Sequence, residues 1–138
     1  MPWRKSQKRF RGQSLVEFAL VSPIFLLMLF GTIEMGRLMW VNHELTNATR
    51  EGARWAAVRG EMSGENITVD NVRTVILDRS TALEGGSLTV AWNWSANREP
   101  GSTVTIMTTY QYQPIIGMIV PIIGTVTMER QSTMTVHY

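Results

Sequence analysis

The chain reads Gly12-Gln13-Ser14-Leu15-Val16-Glu17-Phe18 immediately before an uncharged apolar run that continues to Ile33. Five basic residues and no acidic residue precede Gly12, namely Arg4, Lys5, Lys8, Arg9 and Arg11. The one charge between Gly12 and Ile33 is Glu17. A charged side chain at the level of the bilayer hydrocarbon costs about 2.5–3.5 kcal/mol on insertion scales. Glu17 therefore needs a partner or a function.

The apolar region is long enough to cross a membrane. It has 27 residues from Leu15 to Val41, interrupted by Glu17, Glu34 and Arg37. At 1.5 Å per residue, such a helix spans a hydrocarbon core of about 30 Å with room for tilt. Glu34 and Arg37 are one turn apart, so we predict an ion pair at the outer interface. The basic residues before the span predict a cytoplasmic N-terminus and an exported remainder.

The fate of the first twelve residues has two interpretations. An ordinary secretory signal is cut behind its apolar region, but that region continues here into helical sequence and offers no good site. The first interpretation is an uncleaved signal anchor, in which Glu17 reaches the cytoplasmic headgroups. The second is cleavage after Gly12, where the missing side chain suits a protease that grips the backbone. The new amine of Gln13 would then lie near Glu17, and the two charges could neutralise each other.

Gly12, Glu17 and Phe18 match the prepilin pattern of a glycine, four variable residues, a glutamate and an aromatic residue. The longer string from Arg11 to Phe25 closely resembles the TadE-like pseudopilins of the Tad/Flp pilus system. Two later blocks fit the same family: Ile33-Glu-Met-Gly-Arg37 and Arg50-Glu-Gly-Ala-Arg-Trp-Ala-Ala57. The resemblance covers about residues 11 to 58 and is specific in combination.

This resemblance implies a class III signal peptide, cut between Gly12 and Gln13 by a membrane aspartyl prepilin peptidase. It implies a minor pilin of the bacterial inner membrane that helps to assemble or prime an adhesive pilus and enters that pilus after processing. Its partners would be the peptidase, other pilin and pseudopilin subunits, and the Tad secretion machinery. Glu17 would be the carboxylate that meets a neighbouring subunit's N-terminus, with Phe18 beside it in the recognition motif. The alternative is an uncleaved, signal-anchored extracytoplasmic binding module.

We predict three parts: a basic leader (1–12), a transmembrane helix (13–41) and an extracytoplasmic domain (42–138). One helix is expected from Gln13 to Arg59, kinked at Pro23 and ended by Gly60. Past the membrane it becomes amphipathic, with small residues at Ala48, Gly52, Ala53, Ala56 and Ala57. These small residues suit packing on the domain's own sheet, or contact with the helix of another subunit.

The outer domain is predicted to combine a second helix with three strands. The helix is expected from Asn66 to Leu83, with Gly85-Gly86 behind it. Apolar and polar residues alternate over 88–94, 103–112 and 125–138, with a turn at 95–102. The predicted fold class is therefore α+β, in which a long N-terminal helix and a second helix pack against a three-stranded antiparallel sheet.

Residues 113–124, Gln-Pro-Ile-Ile-Gly-Met-Ile-Val-Pro-Ile-Ile-Gly, are too apolar for a free loop, and their two prolines argue against a regular strand. Three roles stay open: a plug in the domain's core, a contact with the membrane surface, or a contact between subunits.

Composition argues against several other functions. Without residues 1–12, 8 Arg stand against 11 acidic residues, a net charge of −3, so no nucleic-acid partner is expected. The chain has no cysteine, and its two histidines, His43 and His137, are far apart. No metal-ligand spacing, nucleophile elbow or phosphate loop occurs. We therefore expect no enzyme activity, cofactor, metal site or small-molecule substrate.

Overall fold

The computed structural model describes residues 10–59, 64, 67–96, 98–119 and 124–136. Several predicted features lie outside these residues: most of the basic leader, the helix stop at Gly60, the helix start at Asn66, and the end of the last strand at Tyr138. The described elements form the predicted α+β fold.

Helix α1 (Phe10–Val58) is 49 residues long and continues through Pro23. Its apolar side chains are exposed from Leu15 to Trp40 except for Leu38, which is half-buried against the core, and the first fully buried one is Val41. This is the one described helix that is long and apolar enough to cross a membrane, and none of its apolar window is buried inside the molecule. The change from exposed to buried residues coincides with the predicted end of the transmembrane part.

Helix α2 (Val69–Asp78) is shorter than predicted. It begins where the Thr68 side chain accepts a hydrogen bond from the Asn71 amide at 3.2 Å. It ends before Leu83 because two other hydrogen bonds compete with the helix. The Ser80 side chain accepts from the Ala82 amide at 3.3 Å, and the Tyr110 hydroxyl accepts from the Glu84 amide at 3.4 Å. The predicted apolar set is buried nevertheless: Ile67, Val72, Ile76 and Leu83.

A three-stranded antiparallel sheet follows a short 3₁₀ turn at Gly85–Ser87. Its strands are β1 (Leu88–Trp94), β2 (Thr103–Tyr112) and β3 (Val126–Thr135), and β2 lies in the middle. The ends of the strands are the predicted ones to within a residue or two, except that the described β3 stops at Thr135. Opposite β2, Leu88 pairs with Tyr110 and Tyr112 with Val126.

One face of the sheet is covered by α1 and α2. The covered face carries Leu88, Val90, Val104, Ile106, Tyr110, Tyr112 and Met128. The small residues of α1 are buried against this chain's own core, as the first of the two packing alternatives predicts. At Gly52 the helices α1 and α2 come so close that a Cβ atom would lie 2.8 Å from Ile76 Cγ1.

Polar contacts also join α1 to the strands. The Thr49 and Thr108 hydroxyl groups are buried and 2.7 Å apart. Arg130 on β3 donates to the Thr46 hydroxyl at 3.2 Å and to the Asn42 side-chain carbonyl. Because buried polar groups are destabilising unless paired, these contacts fix the position of the sheet along α1.

Helix α3 (Ile115–Ile119) occupies part of the apolar segment between β2 and β3. The Gly117 amide donates to the Pro114 carbonyl at 3.0 Å. Pro114 is buried, whereas Ile115 is 54% exposed. The segment is therefore no simple core plug in its described part, and residues 120–123 lie outside the described ranges.

Candidate functional site

The predicted cleavage bond between Gly12 and Gln13 lies in the first turn of α1. Both residues are exposed, and a Cβ atom added at Gly12 would meet nothing within 4 Å. The first backbone amides of a helix have no partner within it, so this turn opens more readily than the turns that follow. A protease would need to unwind about one turn to reach the bond, and nothing else in the described structure covers it.

The predicted recognition residues Glu17 and Phe18 lie one turn further along α1. Phe18 is 70% exposed and Glu17 is exposed beside it. Among the described residues, Glu17 takes part in no hydrogen bond and no ion pair. In a helix, residues four apart share a face with their Cβ atoms about 5–6 Å from each other, so Gln13 and Glu17 lie on one face.

A second polar group lies further along α1, where the sheet meets the helix. We call it the Glu34 cluster; it consists of Glu34, Arg37, Tyr112 and Ile115. The Tyr112 hydroxyl donates to Glu34 Oε1, and the Ile115 amide donates to Glu34 Oε2 at 3.2 Å. Arg37 Nη1 lies 3.6 Å from Glu34 Oε1, and the guanidinium group stands 5.1 Å from the centre of the Tyr112 ring. The Glu34 carboxylate thus holds the end of β2 and the start of α3 against α1.

The sequence indicated two members of this cluster and missed the other two. Glu34 and Arg37 are close, as their spacing predicts, but the Glu34 side chain is only 14% exposed and is shared with Tyr112 and Ile115. The position of Tyr112 at the end of the apolar face of β2 was a usable signal. Nothing in the sequence placed it beside a residue 78 positions earlier.

The pKa of the Tyr112 hydroxyl is strongly raised. Burial, with the hydrogen bond to Glu34 as the next cause, raises the pKa of Tyr112 to about 12. The hydroxyl is therefore protonated at neutral pH and acts as the donor to the carboxylate. A cleft of about 430 Å³ opens beside the cluster, lined among others by Arg37, Tyr110, Tyr112 and Ile115.

The structure does not bring the two groups of predicted residues together. Glu17 and Glu34 are 17 residues apart on one helix, a distance of about 25 Å at 1.5 Å per residue. The two groups therefore lie near opposite ends of the exposed apolar part of α1.

In the part of the chain that the structure describes, the tryptophans of β1 and the histidines form no reactive cluster. Trp92 and Trp94 pack at the margin of the core, and the Arg98 guanidinium lies 5.5 and 5.2 Å from their ring centres. His43 is exposed, and His137 lies outside the described residues. Among the described side chains, no group of three or more histidines and carboxylates is arranged to hold a metal ion.

Residues 12–54 match the family model described as TadE-like protein. The match starts at Gly12 and contains all six predicted site residues, and it spans 43 of the 138 residues. The resemblance to this family is therefore confirmed for most of α1. No curated protein and no solved structure matches the chain.

Proposed function

We propose that this chain, TadE-like over residues 12–54, is a minor pilin that is processed by a prepilin peptidase and takes part in assembling or priming a Tad/Flp-type pilus. The observation that carries the proposal is the family match, which begins at the glycine of the cleavage motif. Its role is structural: subunits associate through α1, and no catalytic group of its own is required.

The exposed N-terminal part of α1 supports this proposal. The apolar side chains from Leu15 to Ile33 have no partner surface in the described part of the chain. In the membrane this surface faces lipid, and in a pilus it would face the helices of other subunits. One helix face can serve both states because helix packing and lipid both accept apolar side chains.

The Glu17 carboxylate is the proposed point of contact between subunits. It has no partner among the described residues, and cleavage after Gly12 would place a free amine on Gln13 at the start of the same helix. In a low dielectric, an unpaired charge is strongly destabilising and a paired one much less so. An incoming subunit that supplies its amine to Glu17 would remove this penalty and fix the register of the two helices.

The location that follows is the bacterial inner membrane, with a cytoplasmic leader and an outer domain that begins near residue 42. Five basic residues before the span favour this orientation. The proposed partners are the prepilin peptidase, other pilin and pseudopilin subunits, and the Tad secretion machinery.

The deciding experiment is the intact mass of the full chain, purified from membranes with and without its cognate prepilin peptidase. We expect loss of residues 1–12 only when the peptidase is present, with Gln13 as the new first residue. A full-length chain in both samples would contradict the proposal. It would favour the alternative, an uncleaved signal anchor that presents a binding module outside the membrane.

A further inference from the structure

Helix α3 is held beside α1 at a defined height. Its first amide, that of Ile115, donates to Glu34 Oε2 at 3.2 Å, and Tyr112 directly before the segment donates to the same carboxylate. Two hydrogen bonds to Glu34, one from Tyr112 before Pro114 and one from Ile115 after it, therefore fix the position of α3 relative to α1. The position of α3 with respect to a membrane is then set by the position of Glu34.

Glu34 lies near the outer limit of the membrane-spanning part of α1. A hydrocarbon core of about 30 Å takes about 20 residues of helix, and counting these from Leu15 ends at Glu34. Counting them from Phe18, with Glu17 at the inner headgroups, ends at Arg37. By either count Ile115 lies at the boundary between hydrocarbon and headgroups.

The surface of α1 at this height is still apolar and exposed. Ile33, Met39 and Trp40 are all more than half exposed, whereas Leu38 between them is half-buried against the core. Tryptophan is enriched at the membrane interface because its ring is apolar and its N–H is polar. Ile115 is also more than half exposed, and because its amide is bonded to Glu34, its side chain lies beside the apolar surface of α1.

We propose that α3 is a second membrane contact: it lies in the outer interfacial layer of the bilayer, beside α1, with the side chain of Ile115 directed into lipid. The chain would then be held to the membrane by the crossing helix α1 and by this short interfacial helix. The inference requires that α1 spans the bilayer, but it does not require processing or pilus assembly.

The composition of the segment favours lipid as the occupant. Residues 113–124 carry no charge, and polar residues stand at both ends of the segment: Gln111, Gln113 and Thr125. An uncharged apolar segment avoids the cost of placing a charge in hydrocarbon, so it can lie at the boundary between headgroups and hydrocarbon. Continuity with the apolar surface of α1 distinguishes α3 from an isolated apolar patch on the outer domain.

The absence of cysteine from the sequence makes a direct test possible. We would prepare Ile115→Cys in the full chain, attach an environment-sensitive fluorophore, and reconstitute the protein in vesicles of equal parts phosphatidylethanolamine and phosphatidylglycerol. The matched control is Thr133→Cys, which is exposed on the open face of the sheet. Gln113→Cys is a second probe of the segment, should the first variant fold poorly.

We expect the label at residue 115 to show blue-shifted emission, quenching by lipids that carry a nitroxide near the headgroup, and protection from aqueous iodide. The label at residue 133 should show none of these. Equal iodide access at 115 and 133 would overturn the proposal. Protection at 115 that disappears when the protein is diluted into excess lipid would also overturn it, because the segment would then contact another subunit.

Discussion

The phenolic hydroxyl of Tyr112 donates a hydrogen bond to the carboxylate of Glu34, a residue 78 positions earlier in the chain. This contact joins the last residue of the central strand to the outer end of the exposed apolar part of α1. The exposed apolar part of α1 and the sheet thus meet at a partly buried polar contact.

Removing the Tyr112 hydroxyl should destabilise the packing of the sheet on α1. In Tyr112→Phe the Glu34 carboxylate keeps only the Ile115 amide and the more distant Arg37, so we expect a loss of about 1.5–3 kcal/mol in the free energy of unfolding. The measurement is urea unfolding of the full chain in detergent, followed by tryptophan fluorescence. Tyr110→Phe is the control, because that hydroxyl only accepts a 3.4 Å bond from the Glu84 amide. Equal losses in both variants would contradict a special role for the Glu34 contact.

The same hydroxyl should make stability fall at alkaline pH. The pKa of Tyr112 is raised from 10.0 to about 12 in the folded chain. Because the folded state holds this proton more tightly, its contribution is complete below pH 10 and is lost as pH rises towards 12. The contribution is on the order of 2 kcal/mol. Unfolding measured between pH 9 and 12 should show this loss in the parent chain and not in Tyr112→Phe; parallel curves would refute the assignment to Tyr112.

Adding a methyl group where α1 crosses α2 should also be destabilising. In Gly52→Ala the new Cβ would lie 2.8 Å from Ile76 Cγ1, so the two helices must separate or Ile76 must leave its rotamer. We expect a net loss of about 1–2 kcal/mol, since overpacking costs about 1–3 kcal/mol and alanine returns up to about 1 kcal/mol of helix propensity. Asn47→Ala, exposed on the same helix, should change stability by less than about 0.5 kcal/mol. A more stable Gly52→Ala would show that this crossing is loose.

Processing should depend on the glycine at the proposed cleavage bond. We expect Gly12→Val to remain full length in the presence of the prepilin peptidase, because the branched side chain blocks close approach to the backbone. Gly31→Val is a matched control, since both glycines lie on α1 with nothing within 4 Å of an added Cβ. Intact mass reports both variants. Normal cleavage of Gly12→Val, or equal loss of cleavage in both, would argue against recognition of Gly12.

Assembly should depend on the Glu17 carboxylate after processing is complete. Glu17→Gln keeps the shape of the side chain and removes the charge, so we expect normal cleavage and more than about tenfold less subunit in sheared pili. Leu20→Ala, an exposed apolar change one turn away, tests whether any alteration of this surface has the same effect. Normal incorporation of Glu17→Gln would remove the proposed amine–carboxylate contact.

The periodic parts of the sequence predicted the fold well. The strands at 88–94 and 103–112 alternate apolar and polar residues because one sheet face is covered, and their ends were predicted within a residue or two. The end of α2 was predicted less well. Leu83 continues the apolar pattern and is buried, but it reaches the core from an extended segment held by Tyr110.

The candidate site likewise has one part that the sequence could predict and one part that it could not. The motif from Gly12 to Phe18 is contiguous, so the sequence alone could identify it. The Glu34 cluster depends on two residues that β2 and α3 bring to α1 from far along the chain, and no local pattern encodes that approach. The contacts that hold Arg130 to Asn42 and Thr46 were missed for the same reason.

The exposed residue Trp40 and the buried residue Val41 are consecutive in one unbroken helix. No joint therefore separates the exposed apolar part of α1 from the part that packs on the sheet, and a hinge there would require broken helical hydrogen bonds. A force or a torque applied to the sheet would be transmitted directly to the exposed apolar part of α1, and rotation of that part would turn the sheet with it. Under mechanical load, the two parts of the molecule should therefore move together as one rigid body.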